Sequence, residues 1–134
     1  MESTRTEAPR CLVVEDQALI ALSIEANLED AGFVVATCST AREALAIVAE
    51  RPPDCILLDF ALKDGPCLEL ARELLHRGVP FVVYSGHRRT SFDLPELEAV
   101  PWIDKPAPRE DLIASLSSTL ARGIRTAPST LLDG

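Results

Sequence analysis

The chain has 134 residues, 47% of them apolar (AVILMFWYC) and 25% charged, the proportions of one ordinary globular domain rather than of a disordered segment. Lys plus Arg number 13 against 21 Asp plus Glu, and the net charge of -8 argues against nucleic-acid binding through the bulk field of the chain. No apolar run approaches the ~20 residues that span a bilayer. The stretch from Met1 to Arg10 is polar and holds no signal-peptide core, so a cytoplasmic protein with no membrane contact is expected.

Short apolar runs alternate with helical patterns along the chain. Cys11 to Val14 is too short for a helix and predicts a buried strand. Ala18, Leu19, Leu22, Ala26 and Leu28 recur at helical spacing up to Ala31, and Gly32 supplies a stop. Phe33 to Cys38 is rich in β-branched and apolar residues and predicts a second strand. Ser39 or Thr40 can cap the next helix, with Glu43 placed to complete a capping box. That helix ends before Pro52 and Pro53. Cys55 to Leu58 is the third strand. Lys63 to Pro66 is turn chemistry, and Leu68, Leu70, Ala71, Leu74 and Leu75 form a third helix stopped by Gly78.

Pro80 to Tyr84 is the fourth strand. The segment from Gly86 to Ala99 carries Pro95 and fits one or two helical turns at most. Val100 to Ile103 is a fifth strand, and Pro101 suits an edge position. A last helix runs from Glu110 to about Ala121, ended by Gly123. The division expected is therefore a flexible N-terminus over 1–9, one domain over 10–122 and a flexible tail over 123–134. The cysteines Cys11, Cys38, Cys55 and Cys67 have no C-x-x-C spacing and are expected as free thiols rather than zinc ligands.

Strands alternating with helices predict an α/β fold with a parallel sheet. Ligands of such sheets bind beyond the carboxyl ends of the strands, so the residues that follow each strand matter most. Glu15 and Asp16 follow the first, Asp59 the third, Ser85 and Gly86 the fourth, and Asp104, Lys105 and Pro106 the fifth. Converging carboxylates repel unless a cation neutralises them. Their hard oxygens suit Mg²⁺, a lysine can neutralise a phosphoryl group, and a hydroxyl can donate to it. A carboxylate such as Asp59 can act as the nucleophile that forms an aspartyl-phosphate.

The ordered set Val14-Glu15-Asp16, Leu57-Leu58-Asp59, Tyr84-Ser85-Gly86 and Trp102-Ile103-Asp104-Lys105-Pro106 resembles the receiver domain of two-component response regulators, over about residues 10–122. The resemblance implies a flavodoxin-like five-stranded sheet of order 2-1-3-4-5. It implies that Asp59 accepts a phosphoryl group from a phosphohistidine on a sensor histidine kinase or histidine phosphotransfer protein. Asp16, Asp59 and the backbone carbonyl of Ala61 would bind Mg²⁺, with Glu15 assisting. Lys105 would hold the phosphoryl oxygen, Ser85 would move toward it, and Trp102 stands at the position of the aromatic that moves with it. His87 stands where residues tune hydrolysis of the phosphoryl group.

The departures are Phe60, bulky beside the acceptor, Lys63 where proline is common, and the short fourth helix. The face built around that helix signals or dimerises in many such proteins, which leaves a homodimer open. No output domain follows residue 122, so a stand-alone regulator acting on an unidentified protein target is expected, and not an enzyme. The alternatives are a degenerate receiver that binds partners without phosphorylation, and an aspartyl-nucleophile phosphatase. Ala61 counts against the phosphatase, because haloacid-dehalogenase-like phosphatases carry a second aspartate two residues after the nucleophile. A flavodoxin-like cofactor binder fits less well still, since no Gly-rich loop follows the first strand.

Overall fold

A computed structural model describes residues 8–60, 62, 67–86 and 95–133, with residues 96 and 123–133 described by backbone alone. Its strands are β1 (Arg10–Val14), β2 (Val34–Cys38), β3 (Cys55–Leu58), β4 (Phe81–Ser85) and β5 (Trp102–Asp104). They form one parallel sheet of order β2-β1-β3-β4-β5. The connecting helices are α1 (Ala18–Asp30), α2 (Ala41–Glu50) and α3 (Leu68–Arg77), and α4 (Arg109–Asp133) follows β5. The order is that of the flavodoxin-like doubly wound sheet.

The period-two alternation of a strand sends successive side chains to opposite faces. Leu12, Val14, Ile56, Leu58, Phe81 and Val83 pack with Ala44 and Val48 of α2 and Leu70, Ala71 and Leu74 of α3. Cys11, Val13, Cys55, Leu57, Val82 and Tyr84 pack with Ile24 and Leu28 of α1 and Leu112 and Leu116 of α4. The inner strands bury both faces, which is why they are almost wholly apolar. The edge strand β2 does not, and Val34 is 54% exposed.

Local signals behave as their chemistry dictates. The Thr40 hydroxyl accepts from the Glu43 amide at 3.0 Å, while the Glu43 carboxylate accepts from the Ser39 amide at 3.0 Å. Gly78 ends α3 with a φ of 73°, a left-handed cap that glycine adopts without strain. All four cysteines are free thiols, three of them buried. The hydrogen bond and charge of Cys55, together with burial, push the Cys11 thiol well above its ordinary value, so it behaves as a small hydrophobe. Among the described residues no helix is long and apolar enough to cross a membrane.

The buried face of α1 is Ala21, Ile24 and Leu28, while Leu19 is 82% and Leu22 60% exposed. The apolar residues of α1 cover more than one face, so helical spacing alone does not say which face turns inward. Three expectations are corrected. The fifth strand spans Trp102–Asp104 rather than Val100 to Ile103, because Pro101 lacks an amide and only its carbonyl enters the ladder, accepting from the Val83 amide at 2.9 Å. Ser85 closes β4 rather than following it. Finally, α4 runs through Gly123 to Asp133, because a mid-helix glycine costs only about 1 kcal/mol and does not stop a helix by itself. Of the irregular segment after β4, residues 95–97 form a single 3-10 turn and residues 87–94 lie outside the described residues.

Leu70 is fully buried between α3 and the sheet, whereas Leu19 is on the surface. Leu70→Ala is expected to lower unfolding free energy by about 2–5 kcal/mol. Leu19→Ala is expected to change it by less than about 0.5 kcal/mol. Urea denaturation of the two variants measures both.

Candidate functional site

The parallel sheet carries the chemistry at one edge because each chemistry-bearing residue sits where its strand ends. The ladder extends one residue past β1, β3 and β5 and fixes these positions. The Glu15 amide donates to the Cys38 carbonyl at 3.0 Å, the Asp59 amide to the Val14 carbonyl at 3.0 Å, and the Lys105 amide to the Ser85 carbonyl at 2.9 Å. The backbone thus sets the spacing of the site before any side chain contributes.

Lys105 is the centre of the ionic arrangement. Its Nζ donates to Glu15 Oε1 at 2.8 Å and to Asp59 Oδ2 at 3.2 Å. Both acids are buried, Glu15 to 3% exposure and Asp59 to 6%. The second Glu15 oxygen accepts from the Gln17 amide at 3.1 Å. The ammonium also lies 5.3 Å from the centroid of the Tyr84 ring, within cation-π range. Below the acceptor, the Cys67 thiol donates to the Asp59 carbonyl at 3.3 Å.

Burial pushes the Glu15 carboxyl above its ordinary value, hydrogen bonds from Lys105 and the Gln17 amide pull it part of the way back, and the Asp59 charge adds to the rise. For Lys105 burial acts to lower the ammonium, but the hydrogen bond to Glu15 and the charges of Asp59 and Glu15 outweigh it and hold it above the usual lysine value. The two shifts differ in cause: Glu15 rises chiefly through its burial, and Lys105 rises because two carboxylates face one ammonium.

Glu15, Asp16 and Asp59 each offer a carboxylate oxygen, and these oxygens lie within 4.8 Å of one another. Three hard oxygen donors at that separation fit a small divalent cation such as Mg²⁺. Asp16 is half-buried, more open to solvent than the other two. Ser85 is fully buried at the end of β4, in register with Asp104 of β5. Trp102 is half-buried on β5, its ring 5.6 Å from that of Phe60. The structure therefore brings Glu15, Asp16, Asp59 and Lys105 together and places Ser85 and Trp102 on the strands beside them. The Ala61 carbonyl and His87 lie outside the described residues.

Residues 11–117 match the family described as response regulator receiver domain. The chain belongs to that family. It is 33% identical over 131 residues to the transcriptional regulatory protein PrrA of Mycobacterium tuberculosis, covering 95% of this chain and 56% of that protein. It is 34% identical over 125 residues to the KDP operon transcriptional regulatory protein KdpE of Escherichia coli, covering 90% and 56%. The receiver thus spans about half the length of the curated relatives it matches. Among solved structures, a response regulator receiver domain protein (CheY-like) from Methanospirillum hungatei superposes with a TM-score of 0.80 at 26% identity, covering 90% of this chain and 99% of that one. A sensor protein from Polaromonas superposes with a TM-score of 0.77 at 32% identity, covering 87% and 99%. Receiver domains of two-component systems bind Mg²⁺ at an acidic pocket and interact with histidine kinases or phosphotransfer proteins, and the acidic cluster of this chain is Glu15, Asp16 and Asp59.

Two features of the receiver site escape a reading of strand-end residues. Tyr84, read from the sequence only as the last residue of the fourth strand, packs in the core and also lays its ring against the site lysine. Its position next to Ser85 was the available signal. Cys67 is eight residues from Asp59, and nothing in the sequence joins a thiol to that carbonyl.

Removing the shared cation leaves two buried carboxylates facing each other. Lys105→Met is expected to destabilise the metal-free receiver by up to about 3 kcal/mol. The same substitution in a Glu15→Gln background is expected to cost clearly less, because one of the two charges is already gone. A double-mutant cycle by urea denaturation measures the coupling, and additive losses would show that the Glu15–Lys105 pair contributes nothing.

Proposed function

We propose that Asp59 is a phosphoacceptor that takes its phosphoryl group from a phosphohistidine, and that the receiver signals by protein contact rather than by catalysis of its own. The observation that carries this is the Lys105 ammonium, 3.2 Å from Asp59 and 2.8 Å from Glu15, beside a third carboxylate. A structural salt bridge has no use for Asp16 within 4.8 Å of the same oxygens.

In the step proposed, an Asp59 carboxylate oxygen attacks phosphorus, the P–O bond forms, and the P–N bond to the donor imidazole breaks. The imidazole leaves with the electron pair and takes up a proton. Glu15, Asp16 and Asp59 would hold Mg²⁺, which when bound supplies positive charge to the phosphoryl oxygens. Lys105 already stands at the acceptor and takes on the remaining charge of those oxygens. The Cys67 thiol holds the acceptor backbone from below. A phosphoryl group on Asp59 then changes the charge at one point, and any readout follows from conformations that this charge favours unequally.

The donor has to approach over exposed surface next to the acidic edge. Leu19 and Leu22 project from the first turns of α1, three and six residues beyond Asp16. Leu19 also borders an open groove of about 460 Å³ whose walls include Ile20, Ile24, Tyr84, Lys105 and Leu112. Leu19 at the edge of that groove and the exposed Leu22, three residues further along α1, form an apolar contact for an amphipathic helix of a donor protein.

Intact mass after incubation with acetyl phosphate and Mg²⁺ tests the acceptor. One added phosphoryl group is expected on the wild type and none on Asp59→Asn, and the addition is expected to vanish when Mg²⁺ is chelated. Labelling of Asp59→Asn at the wild-type level would place the acceptor elsewhere. Leu19→Lys with Leu22→Lys tests the docking face separately. Transfer from a phosphorylated histidine kinase is expected to slow by about tenfold or more, while labelling by acetyl phosphate stays unchanged. Equal slowing with both donors would show that the leucines support the fold of the site rather than a partner.

A further inference from the structure

We propose that Phe60 is a positioning residue that ties the phosphoacceptor directly to Trp102, across the end of β4. This inference rests on the reading of Asp59 as the acceptor. Phe60 follows Asp59 in the chain, so its backbone cannot move independently of the acceptor. Its ring is buried at 5% exposure, and its centroid lies 5.6 Å from that of Trp102 at an interplanar angle of 52°. That tilted geometry is a favourable one for an aromatic pair.

The two rings join strands that are not neighbours. β3 and β5 are separated by β4, and β4 ends at Ser85. A second link makes the same crossing, from Asp59 on the β3 side to Lys105 on the β5 side. Trp102 and Lys105 are three residues apart on one strand and the turn after it. Asp59, Phe60, Trp102, residues 103–104, Lys105 and Asp59 therefore form a closed circuit around the end of β4.

The two links use different sides of the sheet. Phe60 and Trp102 pack with the cluster of α2 and α3, whereas Lys105 lies over Tyr84, which packs with α1 and α4. A charge added at Asp59 draws on Lys105 through one link and displaces the Phe60 ring through the other. Trp102 then responds to the acceptor through ring contact. The bulk of Phe60 beside Asp59 is what allows the contact: an aliphatic residue there presents no ring face to the indole.

The chain has one tryptophan, so its fluorescence reports this residue alone. The experiment compares wild type, Phe60→Leu and Phe60→Tyr, each with acetyl phosphate and Mg²⁺. Intact mass gives the extent of labelling, acrylamide quenching gives the accessibility of Trp102 before and after, and thermal melting confirms the fold. All three proteins are expected to be labelled. Wild type and Phe60→Tyr are expected to show a change in Trp102 accessibility, and in Phe60→Leu that change is expected to be smaller by roughly 2-fold or more. A labelled, folded Phe60→Leu whose Trp102 response equals that of the wild type overturns the inference and leaves the acceptor reading in place. A labelled wild type whose Trp102 does not respond overturns it as well. A wild type that is not labelled removes the acceptor reading, and the inference falls with it.

Discussion

The site depends on one ammonium group shared by two carboxylates that the sheet has taken out of water. A buried carboxylate without a partner is costly enough that it protonates or leaves the interior. Glu15 and Asp59 stay in the interior with a partner, because Lys105 reaches both from the turn after β5. The requirement propagates outward. Lys105 can be there only if β5 lies next to β4, and Asp59 can face it only if β3 pairs with β1 on one side and β4 on the other. The strand order and the ion pairs thus support each other.

The same arrangement leaves the site open to further positive charge. Two acids served by one cation remain short of positive charge, with a third carboxylate close by. Such a site gains from a divalent cation and from a group whose oxygens can share it. A well-packed apolar replacement of the ion pairs would hold the fold at least as well. The fold accommodates these charges because Glu15, Asp59 and Lys105 are each fixed by a backbone hydrogen bond.

The fold was legible from the sequence because the signals were local and redundant. Four-residue apolar runs such as Cys55 to Leu58 are too short for helices, and Thr40 with Glu43 marks a helix start by hydrogen-bonding chemistry. The acidic edge was legible for a topological reason: residues that follow parallel strands share one edge whatever their separation in the chain. What was not legible depends on three-dimensional packing. The inward face of α1 was ambiguous because Leu19 and Leu22 are as apolar as Ile24 and Leu28. The span of α4 was misjudged because Gly123 is a weak breaker among helix-forming neighbours. The contact between Phe60 and Trp102 joins residues 42 positions apart on non-adjacent strand ends, so no spacing rule exposes it.

In the function proposed, the carboxylate of Asp59, and no other group at this edge, carries the phosphoryl. Borohydride reduces an acyl phosphate to the alcohol, which turns a phosphorylated aspartate into homoserine and leaves free carboxylates untouched. Peptide mass spectrometry of the reduced, phosphorylated protein then names the residue. Homoserine is expected at position 59, with Glu15 and Asp16 unchanged. A reduced residue at either of those two positions, or a phosphoryl group that resists borohydride on the Ser85 hydroxyl, would contradict it.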